Sequence, residues 1–174
     1  MSVGRIDVLR LAQRREDIAG EVTERDLPRL AERLSGASRI GFELRGGPDA
    51  RGRPSARLSL GGEVGLRCDR CDTRLALPIE QEADFYFVAD EAELERIPID
   101  ADEEAEPLVG SADFDLGALI EDEVVLALPI SPRHDACEAS AAAVEEKRAV
   151  DAVSEPTRRP FADLARMLGR KPEN

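Results

Sequence analysis

Tryptophan is absent from this 174-residue chain, tyrosine occurs once and phenylalanine five times. With aromatics at 3%, a core has to rest on Leu, Val, Ile and Ala. No stretch is long and apolar enough to cross a bilayer, and the opening "MSVGRIDVLRLAQRRED" has no apolar run of signal-peptide length. The expectation is a cytoplasmic protein without a membrane partner. Cysteine is scarce and odd in number, three in all, and there is a single histidine. Cytosolic thiols stay reduced, which argues against a disulfide framework. Catalytic signatures are missing as well. There is no Ser/His/Asp arrangement, no G-x-x-x-x-G-K-[ST] cradle and no G-x-G-x-x-G turn. Carboxylates are plentiful, but their spacing singles out no pair. The chain is expected to have no catalytic residue and no small-molecule substrate.

What is present is charge, unevenly placed. The net charge of −13 argues against binding nucleic acid by broad phosphate neutralisation. Residues 1–75, however, carry fifteen arginines against twelve acids, a balance of +3. Residues 76–174 carry nine basic residues against twenty-five acids, a balance of −16. One half can approach a polyanion while the other attracts a basic partner.

The apolar pattern predicts one α+β domain over residues 1–137, followed by a flexible acidic tail with a short terminal helix over 138–174. "RIDVLRL" (5–11) reads as a first strand and residues 27–34 as a helix, with Leu27, Leu30, Ala31 and Leu34 on one face. From Arg39 to Ala89, alternating runs separated by "GGPDARGRP" and "GG" predict an antiparallel meander of about four strands. Residues 90–112 read as an acidic connector with a short strand at "RIPID". "DFDLGALIEDEVVLALP" (113–129) reads as a helix capped by Asp113 or Asp115 and stopped by Pro129. The expected architecture is thus an antiparallel sheet of about four to six strands packed on two main helices.

"LRCDRCDTRL" (66–75) holds Cys68 and Cys71 as a C-x-x-C pair. A thioredoxin-like site needs that pair at the head of a helix. Here strand-like runs flank it, so it sits at a hairpin tip, where a tight turn brings two thiolates to one ion. Zinc takes four thiolate or imidazole ligands. His134 and Cys137, an H-x-x-C pair in a loop, complete a Cys3His set with none left over. Such a closed set makes a structural Zn2+ site, a zinc-knuckle hairpin. The competing reading is of ordinary reduced thiols and a surface histidine.

Arg51, Arg53 and Arg57 lie in or beside the first hairpin loop, and Arg67, Arg70 and Arg74 surround the cysteines. Guanidinium groups of this kind grip phosphate bidentately, which makes Arg51, Arg53, Arg67, Arg70 and Arg74 candidate nucleic-acid contacts. No aromatic residue is interleaved to stack bases, and a solvated arginine-rich surface is the alternative. Glu121, Asp122 and Glu123 fall on the polar side of the predicted helix, as a solvated face or a contact for a basic partner.

In combination, three stretches resemble the YceD family of large ribosomal RNA subunit accumulation proteins. They are "LRCDRCDTRLALPI", "DFDLGALIEDEVVLALPISPRHDAC" and the ending "PFADLARMLGRK". The opening "DVLRLAQRREDIAGEV" is similar to the family's start. The resemblance implies a non-enzymatic role in the synthesis, processing or stability of 23S ribosomal RNA. The implied partner is the large-subunit RNA or a precursor particle, met directly or through a basic ribosomal protein. Two other classes stay open. One is an acidic chaperone for such a protein; the other is an enzyme, either a thiol-disulfide oxidoreductase or a zinc hydrolase.

Overall fold

A computed structural model describes residues 3–98 and 105–137. The expected tail at 138–174 lies outside the described residues. Strand β1 (Arg5–Ile6) leads into helix α1 (Val8–Arg14) and then β2 (Asp17–Thr23). Two 3-10 turns, Glu24–Asp26 and Pro28–Leu30, precede the long strands β3 (Arg39–Pro48), β4 (Pro54–Arg67) and β5 (Arg74–Val88). A short helix α2 (Glu91–Leu94), strands β6 (Glu106–Val109) and β7 (Phe114–Asp115), and helix α3 (Leu116–Ala127) follow. The main sheet has the order β2-β3-β4-β5-β6, and β1 pairs with β7 in a separate ribbon. This is an α+β architecture. The sheet is mixed rather than wholly antiparallel, because β6 runs parallel to β5.

The long hairpins follow from period-two burial. Along β4, Ala56, Leu58, Leu60, Val64 and Leu66 all enter the core. Gly62 sits in phase with them. The expected "GG" turn is therefore not a turn: Gly61 and Gly62 lie mid-strand, paired with Gly41 and Ile40. Two predicted strands merge into one. The reason is close approach, since a Cβ at Gly62 would stand 2.2 Å from the Arg39 carbonyl oxygen.

Residues 5–11 also depart from expectation, being strand only at Arg5–Ile6. The Asp7 carboxylate accepts a hydrogen bond from Arg10 N–H (2.9 Å) and starts α1, which buries Val8, Leu11 and Ala12 at helical spacing. In α3 the cap is Asp115, whose Oδ1 accepts from Ala118 N–H at 2.9 Å. Helix α3 packs on β5, and α1 packs on β3 and β4. Among the described residues "RIPID" contributes no strand. The strand in the acidic connector is β6, at Glu106–Val109.

The helix expected at 27–34 is replaced by the turn Pro28–Leu30, after which the chain joins β4: Leu34 bridges to Leu66, and the Ser35 N–H donates to the Gly65 carbonyl at 2.8 Å. Glu121 of α3 is 3% exposed. Its Oε1 accepts from the backbone N–H of Arg29 (2.6 Å) and of Leu30 (3.3 Å), and its Oε2 takes the Arg29 Nε–H at 2.8 Å. A tertiary carboxylate thus caps backbone donors that have no intrahelical partner in the first turn of any helix. Arg29 also donates to the Ala118 carbonyl and to Asp122. Glu123, 4% exposed, meets Gln81 Nε2 at 3.5 Å, and burial pushes its carboxyl above the usual range. Two of the three acids of the E-D-E run therefore face inward, so Glu121 and Glu123 do not form the polar outer face expected of them. Only Asp122 is exposed.

Replacing Glu121 by Ala removes the acceptor of the Arg29 backbone N–H and one partner of its guanidinium, and should cost about 1–3 kcal/mol in urea unfolding. Asp122→Ala, at an exposed pair, should cost less than about 1 kcal/mol.

Candidate metal centre

The turn joining β4 to β5 is closed by backbone bonds, Cys68 N–H to the Thr73 carbonyl and Asp72 N–H to the Cys68 carbonyl, both 2.9 Å. Asp72 takes a left-handed conformation (φ 58°), which Asp tolerates better than most residues. The chain therefore folds back within six residues, and the Cys68 sulfur accepts the Arg70 N–H at 3.5 Å. Cys68 is 1% exposed and Cys71 is half-buried.

The loop after α3 is tied to this turn. Asp69 N–H donates to the Pro132 carbonyl (2.9 Å), and the Ser131 hydroxyl donates to Asp69 Oδ2 (2.8 Å). His134 Nε2 lies 3.1 Å from the Arg74 carbonyl oxygen, which can only accept, so Nε2 carries a proton. In the neutral imidazole, Nδ1 then offers its lone pair, and it stands 3.5 Å from the Cys71 sulfur. A backbone carbonyl that fixes the outer nitrogen is the usual companion of a metal-binding imidazole.

One ligand atom from each of Cys68, Cys71, His134 and Cys137 lies within 4.8 Å of every other. Bonds of about 2.0–2.3 Å in a tetrahedron space ligand atoms about 3.5–3.8 Å apart, so the observed span needs only slight contraction. Three sulfurs and one imidazole nitrogen suit a borderline-soft ion, and the group can hold a metal. The structure brings all four predicted ligands together. The carbonyl of Arg74 and the hydroxyl of Thr73, 3.1 Å from the Cys71 sulfur, were not legible as parts of the site. A threonine two residues past the second cysteine is a faint signal, and a backbone carbonyl gives none.

The electrostatics favour thiolate. Burial pushes the Cys68 thiol up, but the backbone N–H groups of His134, Arg70 and Cys71 outweigh it and hold the group at about 5. Cys71 is lowered chiefly by Thr73, through its hydroxyl and its backbone N–H. His134 is raised, first by Cys68 and then by Cys71. A thiol whose folded value lies below its unfolded one stabilises the fold above the free-thiol range, and that contribution is lost as pH falls through about 5. In metal-free protein, the ultraviolet absorbance of thiolate should therefore persist well below neutrality and vanish near pH 5. Cys68→Ser should remove that acid-resistant component. Loss of all thiolate signal at the pH of a free thiol would contradict the geometry.

The candidate arginines do not form one patch. Arg51 and Arg53 lie at the β3–β4 turn, while Arg67, Arg70 and Arg74 lie at the β4–β5 end, with the fourteen residues of β4 between them. At about 3.3 Å per residue, that is roughly 40 Å. Arg53 donates to Asp49 and lies over the Tyr86 ring at 3.5 Å. Arg74 bridges the carbonyls of Ser35 (3.2 Å) and Ala37 (3.5 Å) and pairs with Glu63 (3.6 Å). Arg67 faces Asp72 at 3.4 Å. Arg70 is exposed at the tip.

Among the described residues, no helix is long and apolar enough to cross a membrane. No solved structure matches the chain. A curated relative, the large ribosomal RNA subunit accumulation protein YceD of Haemophilus influenzae, is 29% identical over 143 residues, 78% of this chain and 79% of its own length. The family model "Large ribosomal RNA subunit accumulation protein YceD" matches residues 56–168, a span holding most of β4, the cysteine turn, α3 and His134. The name is that of an accumulation factor rather than an enzyme. On that match, the chain belongs to the YceD family of large ribosomal RNA subunit accumulation proteins.

Proposed function

We propose that this protein supports the accumulation of 23S ribosomal RNA as a non-enzymatic factor in large-subunit assembly, with a structural zinc ion held by Cys68, Cys71, His134 and Cys137. Family membership supports the ribosomal part. The observation that carries the mechanism is the convergence of four ligand atoms within 4.8 Å. Four protein ligands leave no position for water or substrate, which marks a clamp rather than a reagent. What the ion supplies is a cross-link between the β4–β5 turn and the loop after α3. The cysteines occupy a strand-to-strand turn, not a helix start, which further disfavours a thiol-disulfide cycle.

On this reading Arg70, exposed at the clamped tip, is the first candidate for RNA contact, with Arg67 beside it. Arg74 is committed to the carbonyls of Ser35 and Ala37. Arg51 and Arg53 would meet a different stretch of RNA. The −16 balance of residues 76–174 favours a second reading, in which the chain holds a basic ribosomal protein without touching RNA.

Untagged protein should carry about one zinc per chain, and Cys68→Ser should lose it. Chelation should lower the melting temperature and free residues 129–137 to exchange their amides. Metal-free protein that is fully folded, with three titratable thiols, would overturn the clamp. Loss of the protein should lower 23S RNA relative to small-subunit RNA. Arg70→Glu should weaken co-sedimentation with precursor large subunits without unfolding the protein. Capture at low salt separates the two readings: bound RNA favours direct contact, and a nucleic-acid-free binary complex favours the acidic chaperone.

A further inference from the structure

We propose that β2 is a docking edge. An extended basic peptide, with apolar residues between its basic ones, adds to it as a sixth strand of the main sheet. The inference goes beyond the ribosomal reading and uses no residue of the Cys/His cluster, so either can fail alone.

Strand β2 ends the five-stranded sheet and pairs only with β3. Among the described residues, nothing but β3 bonds to the backbone of residues 17–22. The outward-facing N–H and C=O groups of Asp17, Ala19 and Glu21 thus have no partner among the described residues, and the row ends at Thr23, whose N–H donates to Asp26 Oδ2 at 2.9 Å. Alongside lies a cleft of about 570 Å³, floored by Ile6, Ile18, Phe42 and Leu116. Gly20 keeps it open, because the Phe42 ring lies where a side chain would go, 2.8 Å from a Cβ at that position. Free edge and apolar cleft side by side are the two parts of strand-addition sites: backbone bonds give affinity, and the pocket takes alternate side chains.

Charge selects the occupant. Residues 16–26 carry five carboxylates and only Arg25 of opposite sign. Asp17 and Glu21 are exposed on the face away from Ile18 and Val22, and the Glu21–Arg39 pair (3.5 Å) is exposed enough to exchange. A second copy of this strand is disfavoured. Antiparallel self-pairing about Ala19 sets Asp17 against Glu21 twice, and in-register parallel pairing stacks each acid on itself. A strand with Lys or Arg opposite Asp17 and Glu21, and an apolar residue between them, meets both faces.

The test uses the full chain and a capped peptide of alternating Lys and Val, matched to the seven residues of β2. Binding should be saturable by NMR, with shifts confined to residues 17–23 and the cleft and with slower amide exchange along β2. A peptide with Pro at the position opposite Ala19, where the backbone of β2 faces outward, should lose at least about tenfold in affinity, since it cannot donate to the edge. Asp17→Lys with Glu21→Lys should lose a similar factor, while Glu91→Lys with Glu95→Lys on α2 should change it by less than about twofold. Equal binding of the Pro peptide, shifts spread over other acidic surfaces, or no binding at millimolar peptide would overturn the proposal. The Pro comparison needs no variant protein, so it stands even where a substitution unfolds β2.

Discussion

Two backbone carbonyls hold together segments sixty or more residues apart. The Pro132 carbonyl accepts from Asp69 N–H, and the Arg74 carbonyl accepts from His134 Nε2. Through them the loop that leaves α3 is laid against the turn between β4 and β5. The convergence of one imidazole and three sulfurs depends on that contact, because nothing local to either segment would produce it. The first bond sets where the loop runs, and the second sets which ring nitrogen faces the sulfurs. A metal bound there would lock an arrangement that hydrogen bonds have already prepared, which lowers the ordering cost of binding.

Helix α3 is positioned from its other side by Glu121. A carboxylate buried to that degree needs near-complete hydrogen bonding, and it finds two backbone N–H groups and one guanidinium. It closes the turn at Pro28–Leu30 and fixes the helix against that turn in one step. Charge in this acidic protein therefore does two kinds of work. Some carboxylates are internal struts, and others, such as Asp17 and Glu21 on the sheet edge, are left to face a partner.

The arginines divide in the same way. Arg29 and Arg74 serve the fold, since each donates to backbone carbonyls of a distant segment. Arg70 stands at the tip of a turn closed by the backbone bonds of Cys68 with Thr73 and Asp72. A rigid turn carrying an exposed guanidinium loses little entropy on docking, whereas the same residue on a floppy loop would lose much more. On the proposed reading, this is how a closed metal site would serve assembly rather than chemistry.

Residue type and spacing alone determined a good deal. The alternation in β3, β4 and β5, the Asp115-capped helix, the Cys3His donor set and the family likeness are all local patterns in the chain. The structure decided what depended on distant groups. Gly61 and Gly62 read as a turn until the backbone of β3 is seen lying against them. Residues 27–34 read as a helix until β4 is seen to pair with Leu34 and Ser35. The E-D-E run looks solvated because helical spacing cannot show that Arg29 and Gln81 come to meet it. The sequence places the arginines in two groups, and the structure adds that a single unbroken strand carries those groups to opposite ends of the sheet. Periodicity reports which face a side chain takes; only packing across the chain reports what that face meets.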